Sequence, residues 1–135
     1  MTTVENARAT YSIAETAELT GLTMHTLRYY ERDGLMLRGV GRTASGHRRY
    51  SDRDLHWIDL ISRLRSTGMP IRDVRRYAEL VRSGDGNEAE RLALLRDHRQ
   101  QVLAQLAEVT EHLGAIDRKI GIYVDRLEGE HPAQA

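Results

Sequence analysis

The sequence contains no cysteine and no phenylalanine, a single tryptophan and two prolines. Without cysteine there is no disulfide, no thiolate zinc site, no cysteine-ligated iron–sulfur cluster and no cysteine nucleophile. So few large aromatics leave the core to Leu, Ile, Val and Ala, which favours helices over a β-sandwich. Long apolar runs are missing too, so no segment is expected to span a membrane. Residues 1–10 (MTTVENARAT) lack the apolar centre of a signal peptide, and a soluble, cytoplasmic protein is expected. Net charge is also absent, because 20 basic and 20 acidic side chains cancel. The 135 residues fit one domain, or one small domain plus an extension.

The cancellation hides a polarity along the chain. Residues 1–76 hold 13 basic against 9 acidic side chains, net +4, and residues 77–135 hold 7 against 11, net −4. From Met24 to Arg76 the count is 12 against 6, and all twelve cations are arginine. The planar fork of arginine suits phosphates and guanine edges. A basic front half is the electrostatic footprint of a nucleic-acid binder. An ordinary solvated surface carries the same charges, so charge alone leaves both readings open.

Local signals divide this front half into short elements. Residues 1–10 are polar, without pattern, and expected to be flexible. Ser12 and Glu15 form a capping box before a helix predicted over Ile13–Thr20, with Ile13, Ala17 and Leu19 as its apolar stripe. Gly21 ends it, Leu22 turns inward, and Thr23 caps a second helix from Met24 to about Arg32. Two short helices joined by so tight a turn make a helix-turn-helix. On the second helix Leu27 faces the core, whereas Met24, His25, Arg28 and Tyr29 lie on or near the other side. Tyr30, three residues after Leu27, suits either the core or a DNA contact. A helix with that exposed face can enter a major groove, N-terminal end toward the bases.

Residues 38–47 carry three glycines and no helical periodicity, and Arg48-Arg49-Tyr50 follows. After a helix-turn-helix this reads as a β-hairpin wing, with Arg42, His47, Arg48, Arg49 and Tyr50 along the sugar–phosphate backbone. A mobile surface loop has the same composition. Ser51, with Asp54 three residues on, opens a third helix to about Ser66 whose apolar face carries Leu55, Ile58, Ile61 and Leu64, with Trp57 and Leu60 beside them. Pro70 opens a fourth, Ile71 to about Arg82, with Val74, Tyr77, Ala78 and Val81 as its buried stripe. Its Arg72, Arg75 and Arg76 form a second basic patch. Residues 83–87, Ser-Gly-Asp-Gly-Asn, read as a linker.

Residues 88–127 are the most periodic part of the chain. Leu92, Leu95, Val102, Leu106, Val109, Leu113, Ile116, Ile120, Tyr123 and Leu127 alternate at spacings of three and four, and only Arg99 breaks the series. That is a coiled-coil seam on a helix of about 60 Å, at about 1.5 Å per residue. A small four-helix head cannot cover it, so a second copy of the chain is the expected partner. Residues 128–135 are expected as a flexible tail. His98 and His112 lie on this helix; Glu108 and His112 share a face, but two ligands do not make a metal site, and a solvated face is the plainer reading. No nucleophile elbow, phosphate loop or carboxylate pair points to an enzyme, and no metal or cofactor is expected.

These residues carry a resemblance. Tyr11-Ser12-Ile13-Ala14-Glu15, Leu19-Thr20-Gly21-Leu22-Thr23, Thr26-Leu27-Arg28-Tyr29-Tyr30-Glu31, Gly34-Leu35, Gly46-His47-Arg48-Arg49-Tyr50-Ser51 and Arg63-Leu64-Arg65 with Gly68 together resemble a MerR-family transcriptional regulator. The likeness is close over residues 11–82 and looser, at the heptad level, beyond. It implies a mainly α protein: a winged helix-turn-helix DNA-binding head over 11–82, then a long helix over 88–127 that dimerises as an antiparallel coiled coil. It also implies a homodimer on an inverted-repeat promoter site, acting beside RNA polymerase by kinking and untwisting an overlong promoter spacer. The resemblance carries over Arg28, Tyr29 and Tyr30 as recognition-helix contacts and Arg48 and Tyr50 as wing contacts; Thr23 and His25 join the expected DNA contacts from the helix itself, and Arg42, His47 and Arg49 from the wing, His47 standing where the family often has Tyr. The chain departs from the metal- and redox-sensing branches, which use cysteines. It departs from the drug-binding branches too, because only eight residues follow Leu127. No separate effector domain is expected, and the sequence names no effector. Two other readings stay open: an architectural or excisionase-like DNA-bending protein without an effector, and an adaptor that uses only its coiled coil.

Overall fold

In the computed structural model, which describes residues 10–37 and 41–134, three short strands and five helices follow the order β1 (Thr10–Tyr11), α1 (Ile13–Thr20), α2 (Met24–Arg32), β2 (Gly41–Arg42), β3 (Arg48–Ser51), α3 (Asp52–Ser66), α4 (Ile71–Arg82) and α5 (Glu88–Gln134). Each of the first three helices starts where a side chain satisfies its free amides. The Ser12 hydroxyl accepts from the Glu15 amide at 3.1 Å while the Glu15 carboxylate accepts from the Ser12 amide at 2.7 Å. Ser51 and Asp54 repeat that reciprocal pair on α3. Thr23 caps α2 by accepting from the Thr26 amide at 3.0 Å. Gly21 takes φ 75° after α1, a conformation that favours glycine, and its amide closes on the Ala17 carbonyl at 2.9 Å.

The strands form one antiparallel sheet in the order β1-β3-β2. Tyr11 lies opposite Tyr50, and Arg42 opposite Arg48. The hairpin β2–β3 is the wing that the glycine-rich segment predicted. Strand β1 is a correction: Thr10 was expected within an unpatterned stretch 1–10, yet it pairs with Ser51. Two residues hold no period, and only a distant partner makes them a strand. Residues 1–9 lie outside the described residues.

The core gathers beneath the helix-turn-helix. Leu27, Leu35, Ile58, Ile61 and Val74 are all buried, and the Trp57 and Tyr77 rings stack at 5.7 Å with 5° between their planes. Trp57 Nε1 donates to the Leu35 carbonyl at 2.7 Å, tying α3 to the exit of α2. The stripe expected on α1 is also corrected. Leu19 is exposed and Thr16 is buried in its place, with its hydroxyl donating to the Ser12 carbonyl at 2.8 Å. Thr16 lies three residues from Ile13 and shares its face, whereas Leu19 has rotated away. On α4, Leu80 is buried and Val81 half-buried against the core.

The chain divides into two compact units after Leu95, not at the 83–87 segment. That segment is a pinned turn rather than a loose linker. Asn87 Nδ2 donates to the Leu80 carbonyl at 2.8 Å, and Arg91 reaches both Asn87 Oδ1 and the Gly84 carbonyl. The first two turns of α5 belong to the first unit, where Leu94 and Leu95 pack on its core. The second unit is the remainder of α5. This helix passes Leu127 and continues through Gln134, where a flexible tail was expected; Gly129 alone does not stop it, because one glycine costs only about 1 kcal/mol. No helix among the described residues is long and apolar enough to cross a membrane.

Candidate nucleic-acid interface

A cleft of about 410 Å³ opens between the start of α1, the outer face of α2 and the wing. Ser12 and Ile13 line one side, Arg28 another, and Thr43, Ser45, His47, Arg48 and Arg49 the third. Cations and hydroxyls converge there, the chemistry that holds a phosphodiester backbone.

Arg28 is exposed and has no hydrogen bond or ion pair among the described residues. One turn of helix sets it on the same face as Met24, beside the exposed His25. The first turn of α2 holds no acid, so nothing there opposes an anionic ligand. Thr23 stands exposed at the cap itself.

The wing arginines are already engaged within the head. Arg48 Nε donates to Glu31 on α2, and Arg42 Nη2 stands 3.5 Å from the same carboxylate. Arg42 Nη1 also donates to the Gly46 carbonyl at 3.1 Å, which closes the hairpin. Arg49 is spent on Thr10, donating to its hydroxyl at 3.0 Å and its carbonyl at 3.1 Å. His47 is exposed, its Nδ1 sharing a hydrogen bond with the Ser45 hydroxyl at 2.9 Å.

Two of the expected contacts are buried: Tyr30 is 5% exposed and Tyr50 1% exposed, and both rings belong to the core. Burial raises the phenol pKa of each. Tyr30 follows Leu27 at helical spacing, and Tyr50 points inward from the central strand. Tyr29 is half-buried against the core, with the Arg32 guanidinium 6.0 Å from its ring centre. The second basic patch on α4 is mostly neutralised: Arg75 binds Asp33 at 2.8 Å and Arg76 binds Glu90 at 2.8 Å, which leaves Arg72 to a loose 3.9 Å contact with Asp73. The hydrogen bond from Arg75 holds the Asp33 carboxyl below its usual range.

Sequence reasoning missed the acid that organises the wing. Glu31 has a helical position and a charge, and neither announces that β2 and β3 will bring two arginines to it. Ser12 and Ile13 at the cleft edge were read only as helix-start signals.

On α5 the expected seam residues are distributed differently along its length. Leu95 packs on the first unit's core, Val102 is half-buried, Leu92 is exposed, and Leu106, Val109, Leu113, Ile116, Ile120, Tyr123 and Leu127 are each more than half exposed. His98 is buried rather than on a solvated face. Among the described residues, no group of three or more His, Asp or Glu side chains is placed to hold a metal ion.

Comparison with known proteins agrees with this geometry. A family model described as MerR HTH family regulatory protein matches residues 11–80, and a second, described as MerR, DNA binding, matches residues 55–119. An uncharacterized HTH-type transcriptional regulator of Haemophilus influenzae is 40% identical over 114 residues, 84% of each chain. The crystal structure of HiNmlR, a MerR family regulator lacking the sensor domain, bound to promoter DNA, is similar with a TM-score of 0.79 at 38% identity, covering 84% of this chain and 86% of that one. A MerR family transcriptional regulator from Bacillus thuringiensis gives a TM-score of 0.74 at 28% identity, over 83% of this chain and 97% of that one.

Proposed function

Since the chain belongs to the MerR HTH family of DNA-binding transcriptional regulators, we propose that it works as a homodimer on a palindromic promoter site. The observation that carries this reading is Arg28, exposed and uncommitted at the mouth of a cleft lined by hydroxyls and cations. Arg28 and its helix neighbours His25 and Thr23 read base edges in the major groove. Thr43, Ser45, His47 and the free donors of Arg42 and Arg48 hold the backbone beside them. Tyr29, half-buried, supports the reading face.

The exposed stripe from Leu106 to Leu127 supports the dimer. Seven exposed large apolar side chains along one seam, including Leu106 at 60% and Leu127 at 69%, are costly in water and fit a second copy of the same stripe. Two heads joined in this way read two half-sites. The HiNmlR structure, a sensorless regulator on promoter DNA, supports carrying this mode to a chain of similar length. Bending and untwisting the promoter spacer, with RNA polymerase as the partner, is the action that fits such a dimer, since backbone contacts offset a deformation of about 1–6 kcal/mol. The relatives are transcriptional regulators, and no catalytic step enters this reading.

The test is footprinting of the full chain on its own promoter region and on random duplex at physiological salt. One protected palindrome between promoter elements is the expected result. Equal affinity for random duplex, or tandem loading along the DNA, overturns the reading, the latter in favour of an architectural protein.

A further inference from the structure

We infer that Met24 reads a thymine methyl group, which makes it a specificity-determining residue of the DNA-binding face; this rests on the DNA-reading role proposed above. Met24 is the first residue of α2, directly after the Thr23 cap. In residues 10–37 and 41–87 the exposed large apolar side chains are Leu19 and Met24. Leu19 sits on α1, whereas Met24 is 42% exposed at the N-terminal end of the reading helix. Helices that read DNA bring that end to the base edges.

The position is rigid where rigidity matters. Thr23 Oγ1 accepts from the Thr26 amide at 3.0 Å and donates to the Thr26 hydroxyl at 3.0 Å. The direction of the Met24 Cα–Cβ bond is therefore set, and only the thioether chain adapts. Arg28 lies four residues on and shares the face. The pair thus presents one apolar probe and one guanidinium about 6 Å apart along the helix axis.

The major groove offers one apolar group for such a probe. Thymine's 5-methyl is that group, and guanine's O6 and N7 are the acceptors that fit the guanidinium. The two groups lie one helical turn apart on one face, so each half-site is expected to hold a T·A pair close to a G·C pair.

The experiment begins by selecting duplexes from a random library with the full-length chain. Every thymine of the selected half-site is then replaced in turn by deoxyuridine, which removes only the methyl. For the wild type, one thymine per half-site is expected to be sensitive, with a loss of about fourfold per half-site, the weight of one buried methyl. Met24→Ala should bind the thymine duplex about that much more weakly and become indifferent to deoxyuridine at that position. Met24→Leu should keep the sensitivity. A selected half-site without a methyl-sensitive thymine overturns the inference, as does a Met24→Ala variant that keeps the full deoxyuridine penalty. In both cases DNA recognition by the head stands. Failure of the library to yield any preferred duplex would instead sink the DNA-reading role, and Met24 with it.

Discussion

Arg48 on the wing donates through Nε to Glu31 in the last turn of α2, and the same carboxylate draws Arg42 from the neighbouring strand. One acid thus fastens a hairpin whose shorter strand is only two residues long to the helix beside it. Both Glu31 and Arg48 are largely shielded, at 18% and 25% side-chain exposure.

Glu31→Ala should release both arginines and loosen the wing. Freed cations find phosphates on any sequence, so affinity for random duplex rises and its salt dependence steepens. Affinity for the selected site should gain less, because the wing no longer meets the backbone at a fixed angle. Salt titrations of both duplexes by fluorescence anisotropy measure the ratio. An unchanged ratio and slope would mean that the clamp does not organise the wing.

Arg28→Ala is expected to weaken specific binding by about 1–3 kcal/mol and to relax preference at one base pair per half-site. Arg49→Ala should behave differently. Its guanidinium holds Thr10, so its loss releases β1 and lowers thermal stability with little change in base preference. Binding to a panel of single-base variants separates the two.

Leu106→Lys places a charge in the middle of the exposed stripe on α5. An unpaired ammonium in an apolar seam has no compensating partner, so the dimer should dissociate. Sedimentation velocity measures this directly, and an intact Leu106→Lys dimer would remove the stripe from the interface.

Tyr50→Phe is expected to be neutral or stabilising by up to about 1 kcal/mol. The Tyr50 hydroxyl is buried and has no hydrogen-bond partner among the described residues, so its removal relieves a desolvation cost. Chemical denaturation decides this, and a loss above that size would reveal a partner for the hydroxyl.

Acid should loosen the head through Asp33 and Glu15. Arg75 lowers the Asp33 pKa, and the Ser12 amide lowers that of Glu15. A folded-state pKa below the unfolded one adds stability that is full above the ordinary carboxylate range. That contribution is lost as pH falls through the folded values. Asp33→Asn should therefore lower the melting temperature at neutral pH and shrink its dependence on acid. A parallel shift at every pH would show that Asp33 does not titrate against Arg75.

Much of the fold was legible because its signals are local. The Ser12 and Ser51 caps and the Gly21 stop each act within four residues, the glycine-rich wing closes within one short hairpin, and the helices begin and end near where these signals lie. The periodic stripe of α5 was legible for the same reason. The misreadings share one cause. Leu19 and Thr16 exchanged places because a single turn of α1 chooses its buried side from the neighbours packed on it. Tyr30 and Tyr50 were assigned to DNA by residue type, although both rings fill the core. Strand β1 and the Arg49–Thr10 bond connect residues about 40 apart, and no window on the chain contains both partners.

The order of amino acids determined where the first four helices start and stop, which end of the chain is basic, and that a long apolar stripe would be left over, because each follows from spacing and charge alone. Which arginines remain free for a ligand was decided only by the folded head. Arg28, Arg42, Arg48, Arg49, Arg75 and Arg76 are chemically equivalent along the chain, and packing gave all but Arg28 a carboxylate or a Thr10 oxygen to hold. A guanidinium's availability is set by the three-dimensional neighbours that neutralise it, and those come from elements far apart in the sequence.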